Sequence, residues 1–223
     1  MKLLMLLGSN RFFSNAGNSF SRMVLLVGVL GFTMLGSGCV SVKQYVDPAL
    51  PKVAFEDLLK NPSKQEKQPV QVMIEFRTKG IVNARATEAV TPLVIKTLQQ
   101  SSLFSDVLTG QATSGNKLFI TIDNIVVDKD AFSKGFATGL TLGLAGSMVT
   151  DGYVMNASYI TPNKDEFKHV YKHAIHSTIG NAEGPKGLTP VPKEPKDEAI
   201  RQVVEGLILN LLNDMQKNGE MNK

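Results

Sequence analysis

Val70, Val72, Ile74 and Phe76 recur at every second position, the period of a strand with one buried face. Ala86, Ala89, Val90, Leu93, Val94, Thr97 and Leu98 then keep helical spacing, interrupted by Pro92. Proline suits a first helical position and Thr91 suits the cap before it, so a helix is predicted from Pro92 to about Ser101. The turns before it are either a kinked extension or a separate segment. Leu103-Phe104-Ser105-Asp106-Val107-Leu108 leads into a short strand. Lys117 to Asp128 gives the clearest alternation, with Leu118, Ile120 and Ile122 on one side.

Tyr153–Thr161 and Phe167–Ile179 read as two further strands joined by the turn Pro162-Asn163-Lys164-Asp165. Residues 180–196 form a proline- and glycine-rich loop. The last element is an amphipathic helix whose stripe is Ile200, Val203, Val204, Leu207, Leu211, Leu212 and Met215. The order is β-α-β-β-β-β-α. It predicts an α+β fold, with a mostly antiparallel sheet of about five strands and two helices on one face. This single domain is expected over residues 70–218. Residues 40–69 are rich in Lys, Gln and Pro and read as a flexible tether, apart from a turn or two of helix at residues 53–59.

The N-terminal pattern is of another kind. Met23–Leu35 is an apolar run of 13 residues, too short to span a bilayer, and residues 1–38 contain three positive charges and no acid. Small residues and the only cysteine follow, as Gly36-Ser37-Gly38-Cys39. This ending resembles the bacterial lipobox, with Gly36 where that family usually has leucine and Leu35 one position earlier. The resemblance implies a signal peptide over residues 1–38 and cleavage between Gly38 and Cys39. Cys39 then becomes an N-terminus linked by a thioether to diacylglycerol and carrying a palmitate-type acyl group. Val40 stands where an aspartate favours inner-membrane retention, so the family rule implies the outer membrane, facing the periplasm. Two other readings are an unmodified thiol after ordinary cleavage and an uncleaved anchor helix. Leu3–Leu7 is also readable as upstream translation, which puts the working start beyond Met1.

Removing the signal changes the charge argument. The whole chain has 24 Lys+Arg against 20 Asp+Glu, and the segment after the signal has 21 against 20. The basic balance thus belongs mostly to the signal, and no clustered positive charge points to nucleic acid. With Cys39 lipidated, no cysteine remains for a disulfide, a thiolate metal site or thiol catalysis.

Ser102-Leu103-Phe104-Ser105-Asp106-Val107 after a helix, followed by Leu118-Phe119-Ile120-Thr121-Ile122 and a long closing helix, resembles small outer-membrane lipoproteins of the curli-secretion and penicillin-binding-protein-activator type. The resemblance is architectural and covers about residues 70–215. It implies an envelope accessory or assembly subunit and brings no catalytic residues.

Other candidate chemistry is sparse. His169 and His173 share a strand face about 13 Å apart and His176 points to the other face, a spacing that cannot chelate one ion. They read as strand residues on a partly exposed sheet. Asp128-Lys129-Asp130 reads as a turn, and the glycine spacing matches no phosphate-binding loop. No metal and no cofactor are expected, and no enzyme activity.

One segment stands out. Residues 135–150 carry no charge, and Gly135, Gly139 and Gly143 recur every four residues. On a helix these would line one face and let another backbone approach closely. Fifteen such residues would be about 23 Å long, short of a full span. Gly135, Phe136, Gly139, Leu140, Gly143, Leu144 and Gly146 are therefore candidates for docking to a membrane or a partner. A fold-back of this segment onto its own sheet is the third reading. The expected function is a non-catalytic accessory, assembly or scaffold subunit of a cell-envelope complex. Its expected partners are the membrane, through the lipid, and an envelope protein or a second copy. The alternative is a periplasmic binding module for a small ligand, a lipid or a cell-wall-associated protein, which should show an enclosed apolar pocket between sheet and helices.

Overall fold

The computed structural model describes residues 41–60, 66–110, 115–127 and 148–222. The elements in chain order are β1 (Val42–Val46), α1 (Phe55–Leu59), β2 (Val70–Thr78), β3 (Ile81–Val82), α2 (Ala84–Gln100) and β4 (Val107–Leu108). They continue with β5 (Asn116–Val126), β6 (Met148–Ile160), β7 (Glu166–Ile179), α3 (Glu198–Lys217) and a 3₁₀ turn (Glu220–Asn222). The strands form one sheet in the order β1-β7-β6-β5-β2-β3, with β4 also on β2. The α+β class holds. The described strands number seven rather than about five, because β1 and the two-residue β3 extend the sheet at its edges.

The pairing is antiparallel except where β2 meets β5 and β4. That parallel register, Val70 opposite Asn116 through Thr78 opposite Asn124, is reached by crossing over through α2. Parallel neighbours need such a crossover, whereas the Thr161–Asp165 turn suffices for the antiparallel β6–β7 pair. Leu118, Ile120 and Ile122 of β5, with Met155, Ala157 and Tyr159 of β6, are buried on one sheet face. Val90, Val94 and Leu98 of α2 and the apolar side of α3 complete that core.

The helix predicted from Pro92 runs instead from Ala84 to Gln100 with Pro92 inside it. Its start is fixed by Asn83, whose side-chain oxygen accepts from Ala86 N–H at 3.0 Å. Pro92 removes the hydrogen bond to the Glu88 carbonyl, but both residues lie on the exposed side, where water can satisfy that oxygen.

The largest departure is in the stretch expected to be a tether. The compact unit begins at Ser41, not at Val70. Val42–Val46 pairs with Ile175–Ile179, and Leu58 of α1 is fully buried in the core. The cause lies in α3. Leu207, Ile208, Leu209, Asn210, Leu211 and Leu212 are all buried, so this helix needs cover on more than one side. Residues 50–59 supply it. Asn210 Nδ2 donates to the Pro51 carbonyl at 2.8 Å, and Gln216 Nε2 donates to the Leu58 carbonyl at 3.1 Å.

Candidate functional site

Gly38, Cys39, Gly135, Phe136, Gly139, Leu140, Gly143, Leu144 and Gly146 all lie outside the described residues, as does Asp128-Lys129-Asp130. What the structure shows is the sheet end from which these stretches leave. The chain departs from β5 just after Val127, returns at Met148, and enters β1 at Val42.

That end carries a row of aliphatic side chains. Val42 is directly opposite Ile179, Val149 is opposite Ser177, and Val126 is opposite Asp151, which in turn is opposite Ile175. Ile175, Ser177 and Ile179 are two apart on β7 and share one face. Val126, Val149, Ile179 and Val42 therefore follow one another, two by diagonal and one by direct pairing, across β5, β6, β7 and β1. Each is 46–57% exposed. The face is the helix-covered one, because Ile175 packs in the core, yet these four side chains stay about half exposed.

On the other face of the same end lies a buried polar chain. His176 Nε2 sits 3.1 Å from Asp47 Oδ2, and its Nδ1 sits 2.9 Å from Thr150 Oγ1. Asp47 Oδ1 accepts from Ala49 N–H at 2.7 Å, and Asp47 N–H donates to the Ala174 carbonyl. Strands β1, β7 and β6 are thus joined by side chains as well as by their ladders. Beside this chain, Tyr45 is buried with its ring against Gly184, where an added Cβ would lie 2.2 Å from a ring carbon.

The histidines expected on a partly exposed sheet are instead largely buried. His169 and His173 do share the helix-side face and His176 the other. His169 Nε2 lies 2.8 Å from Glu220 Oε2, holding the 3₁₀ turn against β7. Tyr171 stacks on His169 and donates to Asp214 Oδ2 at 2.7 Å. Burial, then that carboxylate, raises the Tyr171 hydroxyl above its ordinary pKa. His173 is 7% exposed and its Nδ1 is buried with no hydrogen-bond partner among the described residues. Burial pushes the imidazole down to about 4, opposed by the charge of Asp47 and aided by His176. The sequence signal for these contacts was only the strand parity. The partners Asp47, Asp214 and Glu220 lie far away in the chain.

Two open hollows flank the 50–53 segment. One, of about 500 Å³, is lined by His173, Asp47, Leu50, Arg201, Glu205 and Leu209. The other, of about 550 Å³, reaches Tyr171, Asn210 and Asp214. Both are surface clefts beside α3 rather than an enclosed pocket between sheet and helices. Among the described residues no group of three His, Cys, Asp or Glu side chains is placed to hold a metal ion. No described helix is long and apolar enough to cross a membrane.

No protein-family model matches this chain, and no curated protein does. Similar solved structures include bacterial lipoproteins. Rare lipoprotein B from Shewanella oneidensis aligns at TM-score 0.31 and 11% identity, covering 69% of this chain and 93% of that one. A homolog of the neuraminyllactose-binding hemagglutinin from Helicobacter pylori aligns at TM-score 0.34 and 11% identity, covering 70% and 84%. A dodecameric PelC from Paraburkholderia phytofirmans aligns at TM-score 0.28 and 16% identity, covering 79% and 97%. TM-scores this low do not establish a shared fold.

Proposed function

We propose that this chain is a lipid-anchored envelope lipoprotein, held at the outer membrane facing the periplasm, and a non-catalytic accessory, assembly or scaffold subunit of an envelope complex. The observation that supports this most is the start of the fold at Val42, three residues after Cys39. Three residues reach at most about 11 Å. A lipid on Cys39 therefore holds the folded sheet beside the membrane surface rather than on a long leash. Asp47, His176 and Tyr45 secure that first strand to the rest of the sheet. The resemblance around Ser102–Val107 agrees with an accessory role. There Phe104 plugs the core, and Ser101 Oγ turns the chain by donating to the Leu98 carbonyl.

The direct test is acyl labelling and fractionation of the native chain beside Cys39→Ala, followed by in-cell crosslinking and pull-down. Label on the native chain alone, with a defined envelope protein captured, is the expected result. Acyl label on Cys39→Ala would sink the anchor, and capture of no envelope protein would sink the subunit role. A second reading, the small-ligand binding module, is favoured by the hollow that His173 lines. It predicts that a ligand found by thermal shift loses its effect in His173→Phe.

A further inference from the structure

We infer that the aliphatic row Val126–Val149–Ile179–Val42 is the face on which the domain rests against the lipid bilayer, at the boundary between headgroups and acyl chains. This rests on the reading of Cys39 as the lipid-bearing residue.

Single exposed aliphatics are ordinary on protein surfaces, whereas a contiguous exposed row marks an interaction surface. Here four of them cross four neighbouring strands at one sheet end. Val42, a member of the row, is also the first residue of β1, so the surface nearest the anchor is the apolar one. Within the reach of three residues the domain cannot stand off from the headgroups, and some part of this end must touch them. The chain outside the described structure agrees. In sequence, Val127 and Met148 are joined by residues 128–147, in which Asp128, Lys129, Asp130 and Lys134 precede an uncharged run from Gly135 to Thr150. The opposite sheet end is of contrary character: the β6–β7 turn there presents Lys164, Asp165 and Glu166 to solvent. The apolar row near the anchor and the charged turn away from it orient the sheet with β6 and β7 rising from the membrane.

The test uses the full lipidated chain in vesicles of phosphatidylethanolamine and phosphatidylglycerol with brominated acyl chains. Cys39 is the only cysteine, and its sulfur is taken by the lipid, so a single introduced cysteine is the only thiol to label. Fluorophores are placed at Val149→Cys, at Ile179→Cys as an independent second site, and at Lys164→Cys. The expected result is several-fold stronger quenching by brominated lipid at 149 and 179 than at 164. Equal quenching at all three sites in vesicle-bound protein would overturn the proposal while leaving the anchor intact. So would labels at 149 and 179 shielded from both brominated lipid and aqueous acrylamide, which would mean that protein, a second copy included, covers the row. Failure of the anchor reading is separately visible, as a chain of unacylated mass in which Cys39 itself takes the label.

Discussion

Asp47 and His176 stand 129 positions apart in the chain and meet at 3.1 Å with both side chains buried. The contact joins the edge strand β1 to β7, and Thr150 on β6 extends it. Removing the carboxylate takes away one contact of the buried His176 ring and the acceptor of the Ala49 N–H. Asp47→Ala should cost about 1–3 kcal/mol, the scale for leaving buried polar groups unsatisfied. The check is urea unfolding, and a shift in midpoint under a tenth of the total would contradict the argument. Because β1 is an edge strand, amides of Val42–Val46 should also exchange faster in the variant than those of β5.

Gly184 leaves room for Tyr45. A methyl at 184 would lie 2.2 Å from the tyrosine ring, so Gly184→Ala must displace either the ring or the loop. A loss of about 1–3 kcal/mol is expected, the range for overpacking. Adding Tyr45→Leu removes the colliding ring atoms, and the double variant should lose less than the sum of the singles. Strict additivity, read from thermal unfolding, would place the cause elsewhere.

Leu58 decides whether the stretch after β1 is leash or fold. It is fully buried under α3, with its carbonyl accepting from Gln216. Leu58→Ala should cost about 2–4 kcal/mol through lost transfer and the cavity left behind. The neighbouring Leu59 is exposed, and Leu59→Ala should change stability little. A flexible stretch would make the two variants alike in a denaturation series.

His173 gives the acid side of the stability curve a definite slope. Its folded pKa, about 4, lies below the ordinary 6.5 because burial disfavours the charged ring. As pH falls, the unfolded chain takes up the proton first, so unfolding is favoured. The stability from this group is complete above about 6.5, is lost between 6.5 and 4, and amounts to at most about 3 kcal/mol. Asp47 and His176 are the titratable neighbours that act on it, so the wild-type slope is best read against His173→Phe. That variant should flatten the fall in urea midpoint between pH 6.5 and 4, and parallel curves would refute the assignment.

The strands and helices with strong periodicity were legible in the sequence. Leu118, Ile120 and Ile122 announced β5, and the Val203–Met215 stripe announced α3. The parallel neighbourhood of β2 and β5 was not legible, since alternation tells which face is buried and not which strand lies alongside. β1 went unread because Val42 to Val46 is five residues at an edge, with Lys43 and Gln44 in its middle. One clue to the folded 42–59 stretch was present. Ile208 and Leu209 fall outside the α3 stripe, and two large apolar residues beyond one face require a second layer of cover. Of the candidate site, the residues of the uncharged segment were visible by composition. The apolar row was not, because it is assembled by register from four strands, one residue from each.

The pairing of β1 with β7 also fixes an order of events. A five-residue strand has no stability of its own, and the ladder of β1 is made with the last strand of the sheet. Val42 therefore has no place to settle until Ile179 has been synthesised and delivered to the same compartment. On the proposed lipidation of Cys39, that interval is when enzymes acting there would reach their substrate. Under that proposal, sheet closure comes after the modification, and the strand next to the proposed anchor is the last to be fastened.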